Sequence, residues 1–179
     1  MSQSPEQAIL RALLEAVERV STGFEEAREL LEPIPNSPGE FNRLNKVQRI
    51  ATAALLKRFE QMQDLLARLM RTALLADGAD ISTLTARDIA NRMEKLRALP
   101  DAARWSEAVR LRNRLAHEYP TSSAEQFDRL SSALDQIETL HAAHASVLTF
   151  LERQSLINPL PSSPVQDADA VHKGDFQHD

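Results

Sequence analysis

The chain has 179 residues, a net charge of −5 and no cysteine, which excludes disulfides, thiol catalysis and thiolate metal sites. Its length suits one well-buried domain and is short for two. Aromatic residues make up only 4% of the sequence, and glycine occurs only four times. Strands favour β-branched and aromatic residues, whereas helices favour the abundant alanine and leucine, so the composition predicts an all-α fold. No apolar run approaches the ~18 residues of a membrane span, so we expect a soluble, cytoplasmic protein with no membrane partner.

Capping signals and apolar spacing predict four long helices and one short helix. Three helix starts carry a Ser or Thr followed three residues later by an acidic residue: Ser37 with Glu40, Thr85 with Asp88, and Ser122 with Glu125. A fourth start is marked by Ser4-Pro5-Glu6-Gln7. The predicted helices cover approximately residues 5–32, 38–76, 85–99, 101–119 and 123–154. Joined by short loops, they predict an antiparallel four-helix bundle with one additional short helix, occupying residues 1–155.

Charge is distributed unevenly along the chain. Residues 156–179 carry four aspartates against one lysine, contain prolines and lack an apolar period, which predicts an acidic tail outside the bundle. By contrast, residues 104–117 carry four arginines against one glutamate. The net charge of −5 gives no general case for nucleic-acid binding, but this basic stretch permits a phosphate ligand.

The segment "RLRNRLAHEYP", residues 110–120, places a charge on an apolar helix face. On a helical wheel, Arg112 falls in the middle of an apolar arc that starts at Trp105 and ends at Tyr119. A guanidinium keeps its charge when buried, so Arg112 needs a carboxylate or a bound phosphate as its partner. Asn113 and His117, one turn apart, lie together on the flank of the arc.

These residue types suit RNA cleavage without a metal or cofactor. A histidine titrates near neutral pH and can take the proton of a ribose 2′-hydroxyl, which makes His117 the candidate base. The planar fork of Arg112 matches phosphate oxygens, and Asn113 can orient either the imidazole or the phosphate. Arg110 and Arg114 on the same helix are candidates for contacts with RNA.

The octapeptide "RNRLAHEY", residues 112–119, resembles the signature of HEPN-domain ribonucleases, an Arg and a His separated by four residues. Tyr119, two places after His117, resembles the extension of HepT-like toxins, whose antitoxin is an MNT-type minimal nucleotidyltransferase. The resemblance implies a homodimer with two motifs along a shared cleft, in which Arg112 and His117 cut RNA such as tRNA or mRNA without metal. It also implies that the antitoxin silences the toxin by transferring AMP onto Tyr119. The predicted helix order agrees with this family from about residue 5 to residue 153.

Other interpretations of the same residues stay open. Arg112 can form an ion pair with a carboxylate, His117 can be a solvated residue favoured by the helix C-terminus, and Tyr119 can be a packing residue. His141 and His144 of the last helix are interpreted as core or interface histidines. At the level of function, the alternatives are a non-catalytic HEPN module that binds a nucleotidyltransferase, and a plain helical adaptor.

Overall fold

The computed structural model describes residues 5–157, and every regular element in that range is a helix. The all-α prediction is therefore confirmed. Six helices follow one another along the chain: α1 (Pro5–Leu31), α2 (Pro38–Phe41), α3 (Lys46–Ala76), α4 (Ala86–Lys95), α5 (Ala102–His117) and α6 (Ser123–Arg153). None of these six helices is both long and apolar enough to cross a membrane.

The single helix expected over residues 38–76 is wrong, because the structure divides this range into α2 and α3. Asn45 begins α3 with a capping box of its own: its side chain accepts from the backbone N–H of Gln48, whose side chain accepts from the backbone N–H of Asn45. The bundle therefore has two additional short helices, α2 and α4, rather than the one that was predicted.

Helix α5 ends at His117 and not at Tyr119, as the sequence had suggested. Proline cannot continue a helix, and it disfavours the helical conformation of the residue before it. The backbone is already extended at Glu118, with φ of −108° and ψ of 136°. Tyr119 consequently lies outside the helix that carries the rest of the motif.

Helix α3 organises the core, since it packs against α1, α4, α5 and α6. The three longest helices each contribute one phenylalanine with no exposed surface, namely Phe24, Phe59 and Phe150. Burying a side chain of this size is worth roughly 1.5–3 kcal/mol. Helix α5 packs on α3, α4 and α6, so its position relative to both α3 and α6 is fixed by the core.

The acidic tail predicted for residues 156–179 lies outside the described residues except for its first two positions. Of these, Ile157 is only 3% exposed and packs in the hydrophobic core. The chain reaches it through a left-handed residue, Ser155, with φ of 55°, and the backbone N–H of Leu156 donates to the carbonyl of Leu151. The described core therefore extends two residues beyond the predicted boundary at 155.

Candidate functional site on helix α5

Helix α5 is held by one buried face and one cap. Trp105, Ala108 and Leu111 are buried against the core, and the side chain of Asp101 accepts from the backbone N–H of Arg104 at the start of the helix. These contacts fix the rotation of α5 about its own axis. The faces that carry the remaining motif residues are therefore set by the packing of the helix.

A surface groove between α5 and α6, with a volume of about 650 Å³, contains four of the predicted site residues. We call it the α5–α6 groove. Its lining consists of Glu107, Arg110, Leu111, Asn113, Arg114, His117, Glu118, Ser132 and Gln136. The structure thus brings together the predicted base His117, its neighbour Asn113 and both predicted RNA contacts.

The side chains in the α5–α6 groove differ in how firmly they are held. Arg114 is fixed at one wall, because its Nη1 lies 3.1 Å from Oδ2 of Asp128 and its Nη2 donates to Oγ of Ser132 at 3.2 Å. Arg110, Asn113 and His117 are exposed. Their side chains are accessible to a ligand, and two of the three can be cationic.

Arg112 is directed to the other side of α5. Its Nε lies 2.8 Å from Oδ1 of Asp64 on α3, and its Nη2 donates to Oδ2 of the same carboxylate at 2.8 Å. The Nε contact is an ion contact only, because its N–H has no aligned hydrogen-bond acceptor. The hydrogen bond to Asp64 raises the pKa of Arg112 above its ordinary value, and Glu60 adds to this effect. An intramolecular ion pair, one of the two interpretations of Arg112, is what the structure contains.

Arg112 and His117 therefore do not line the same groove within one chain. Five residues of a helix correspond to a rotation of about 140° around its axis, at about 100° per residue. Arg112 contacts α3, whereas His117 lines the groove toward α6. Asn113 lines the α5–α6 groove with His117 and also contacts Arg112, since its Oδ1 accepts from Nη1 of Arg112 at 3.3 Å.

Tyr119 is 94% exposed, so the interpretation of this residue as a packing residue is wrong. It lines a second groove, of about 490 Å³, between α3 and the end of α5. The connection before it is held by Arg129 on α6, whose Nη1 donates to the carbonyl of Glu118 at 2.7 Å. The phenol is thus presented to solvent from a backbone segment that is tied to the bundle.

Two residues of this region were missed by the sequence analysis. Arg129 is only 8% exposed. It lies four residues before the buried Ala133, and therefore on the apolar face of α6, just as Arg112 lies on the apolar face of α5. Asp64 offers no comparable signal, because an acidic residue on a long helix is ordinarily solvated. Its role depends on the packing of α3 against α5.

The two histidines of α6 lie at the opposite face, toward α1. His141 Nε2 is 3.1 Å from Oγ of Ser21, in a partly buried hydrogen bond. His144 is partly buried, its Nε2 has no hydrogen-bond partner, and burial lowers its pKa below 6.5 despite the nearby carboxylate of Glu18. Both positions agree with the interpretation of core or interface histidines. Neither histidine lines the α5–α6 groove.

Within residues 5–157, no group of three or more His, Asp or Glu side chains is placed to hold a metal ion.

A family model described as "nucleotidyltransferase substrate binding protein like" matches residues 9–143, about three quarters of the chain. No curated protein and no solved structure matches the chain significantly. The matched segment contains all of α3, α4 and α5 and the whole motif. The chain therefore belongs to the nucleotidyltransferase substrate-binding-protein-like family, a family of HepT/HEPN-like helical proteins associated with nucleotidyltransferases.

Proposed function

We propose that this chain is a metal-independent endoribonuclease toxin whose antitoxin is a nucleotidyltransferase. The observation that carries the proposal is the α5–α6 groove, in which an exposed His117 lies with Asn113 and two arginines. An imidazole and guanidinium groups are the side chains that a phosphodiester cleavage without metal requires. The nucleotidyltransferase association of the family supports the partner.

In the proposed reaction, His117 takes the proton of a ribose 2′-hydroxyl. The resulting 2′-oxygen attacks the adjacent phosphorus, and the bond from phosphorus to the 5′-oxygen of the next nucleotide breaks. The leaving 5′-oxygen takes a proton from water or from a protonated imidazole. The products are a 2′,3′-cyclic phosphate and a 5′-hydroxyl, and the cations of the groove stabilise the charge that builds up on the phosphorane.

Arg112 contributes to this chemistry in either of two ways. The partly exposed ion pair with Asp64 can open, so that the guanidinium exchanges a carboxylate for a phosphate. Alternatively, a second copy of the chain brings its own motif to the cleft, so that Arg112 of one protomer and His117 of the other act on one phosphate. The second route requires the homodimer that the resemblance to HEPN proteins implies.

Silencing is proposed to occur on Tyr119. Its phenolic oxygen attacks the α-phosphorus of ATP in the active site of the partner, pyrophosphate leaves and the phenol loses its proton. The exposure of 94% makes this oxygen accessible to a second protein. A phosphodiester at this position adds negative charge two residues after His117 in the chain, which opposes RNA binding near the end of α5.

A second candidate function is a non-catalytic module that binds a nucleotidyltransferase. One observation favours it: the charge of Arg112 is already satisfied by Asp64 inside the chain, with two contacts of 2.8 Å. This ion pair accounts for an arginine on an apolar helix face without requiring a bound substrate. In this case the exposed part of α5 is a docking surface.

Growth of host cells that express the chain separates the two functions. The wild-type chain is expected to arrest growth, and the variant His117→Ala is expected not to, because only the base is removed from an exposed position. Arg104→Ala, which also changes an exposed residue of α5 but lies outside the groove, serves as the matched control and keeps the arrest. If His117→Ala arrests growth like the wild type, the nuclease is refuted and the binding module remains.

A further inference from the structure

We propose that the groove beside Tyr119 is a binding site for a nucleoside monophosphate. We call it the Tyr119 groove. It lies on the opposite side of α5 from His117, which is not among its lining residues, and its lining includes Phe41, Arg49, Ala53, Leu56, Leu115 and Tyr119. Its role in the cell rests on the proposed modification of Tyr119, but the binding of a free nucleotide requires no cleavage activity.

The shape of the Tyr119 groove suits a small planar ligand. Its volume of about 490 Å³ lies within the roughly 300–1,000 Å³ of small-molecule clefts. Half-buried apolar side chains line it, including Phe41, Leu56 and Leu115, and exposed alanines such as Ala53 leave space above them. A nucleobase can lie on such a surface, because every base has a flat face that can stack on apolar and aromatic side chains.

The charge of the Tyr119 groove suits one phosphate. Of its three cations, Lys57 is paired with Glu60 at 3.2 Å, and Arg129 lies 3.8 Å from the carboxylate of Glu118. Arg49 has no carboxylate partner among residues 5–157, and its Nη1 donates to the carbonyl of Leu44 at 2.6 Å. This hydrogen bond holds the guanidinium in place and leaves its other N–H groups for an anion.

Tyr119 supports the same occupant. An aromatic side chain that is 94% exposed does not contribute to the core, and an exposed aromatic at the rim of an apolar cleft offers a stacking surface for a base. If Tyr119 accepts a nucleotidyl group, the base and ribose start at the rim of this groove. Binding of the attached nucleotide then keeps the modified side chain in one place.

Titration of the full, unmodified chain with AMP and with adenosine, followed by calorimetry, tests this site. Ala53→Trp fills the groove and is expected to weaken the binding of both ligands more than tenfold. Ala54→Trp is the matched control, since this neighbouring exposed residue lines a different groove toward α1. Arg49→Ala is expected to weaken the binding of AMP about tenfold, a loss of about 1.4 kcal/mol that is close to the lower end of the value of a hydrogen bond to a charged group, and to leave the binding of adenosine unchanged. Arg43→Ala, also exposed, is its control.

Binding of AMP that Ala53→Trp abolishes and Ala54→Trp retains would establish the site. No binding of AMP at millimolar concentration, or binding that is insensitive to Ala53→Trp, would refute it. Equal losses for AMP and adenosine in Arg49→Ala would refute the phosphate role of Arg49. If Ala53→Trp instead abolishes capture of the partner nucleotidyltransferase while AMP does not bind, the groove is a protein-docking surface. None of these results depends on RNA cleavage. The nucleotide site can therefore be refuted without refuting the ribonuclease, and the ribonuclease can be refuted without refuting the nucleotide site.

Discussion

Arg112 on α5 and Asp64 on α3 are joined by two contacts of 2.8 Å, from Nε to Oδ1 and from Nη2 to Oδ2. This pair connects the motif-bearing helix to the central helix of the bundle. It also holds the guanidinium on the side of α5 that faces away from the groove of His117. The arginine of the motif is therefore either a structural residue or a residue that a substrate or second protomer must release.

We predict that Asp64→Asn increases RNA binding and cleavage. The substitution removes the carboxylate that competes with phosphate for Arg112, and the guanidinium then loses the one ion pair that it forms among residues 5–157. Because the Asp64 side chain is 48% exposed, the loss of stability is expected to be only about 1 kcal/mol. Cleavage rates and urea unfolding of the same preparations measure the two effects.

The charge-swapped double variant Asp64→Arg with Arg112→Asp is the control for this prediction. It restores an ion pair between α3 and α5 without an arginine at position 112, so it is expected to recover stability and not cleavage. If the double variant cleaves RNA like the wild type, Arg112 is a structural residue and not a catalytic one.

We predict that Arg129→Met destabilises the protein by about 2 kcal/mol, the value of a charged hydrogen bond in a buried setting. Arg129 is 8% exposed and donates to the carbonyl of Glu118 just after α5 ends. Arg19→Met, at an exposed position with a weak ion pair of 3.9 Å to Glu15, is expected to change stability by less than about 0.5 kcal/mol. Equal unfolding midpoints for the two variants in urea would contradict the role assigned to Arg129.

We predict that Tyr119→Phe keeps RNA cleavage and prevents modification by the partner nucleotidyltransferase. The phenol ring has no packing role at 94% exposure, so the loss of one oxygen leaves the fold unchanged. Intact-mass spectrometry after incubation with the partner and ATP measures the result. The wild-type chain should gain the mass of at least one AMP unit, and a comparable gain in Tyr119→Phe would place the modified residue elsewhere.

We predict that the free energy of unfolding decreases on acidification, in part through His144. Burial lowers its pKa below 6.5, so between the folded-state pKa and 6.5 the unfolded chain binds more protons than the folded chain. The contribution of neutral His144 is complete above pH 6.5 and is lost as the pH falls through this window, at no more than about 1.4 kcal/mol per pH unit.

Urea unfolding of the wild type and of His144→Met at pH 7.5 and at pH 5.5 measures the contribution of His144. Glu18 and His141, which act on the pKa of His144, are present in both proteins, so the difference between the two pH profiles isolates the imidazole. The variant is expected to lose less stability on acidification than the wild type. Parallel profiles would show that His144 takes no part.

Local signals were sufficient for most of the fold. The capping pairs at Thr85 with Asp88 and at Ser122 with Glu125 are present as predicted, because caps depend on residues three apart. The break between α2 and α3 was missed, since the apolar period of α3 can be extended backward through Asn45. The start of α3 is indicated only by its own capping box, formed by Asn45 and Gln48.

The features of the candidate site that lie on α5 alone were predictable from the sequence. Asn113 and His117 lie one turn apart, and both line the α5–α6 groove as the wheel suggested. The need of Arg112 for an anion also followed from its place on an apolar face. That this anion is Asp64, 48 residues away, follows only from the packing of α3 on α5, which helical periodicity does not contain.

The most direct test of the central proposal is the incubation of total RNA, tRNA included, with the purified chain in EDTA, beside Arg112→Ala and His117→Ala. The proposed mechanism predicts that the wild type cuts RNA and leaves 2′,3′-cyclic phosphate and 5′-hydroxyl ends, and that both variants leave the RNA intact. Absence of cutting by a wild-type chain whose mass shows an unmodified Tyr119 would contradict the ribonuclease, as would cutting that persists in His117→Ala.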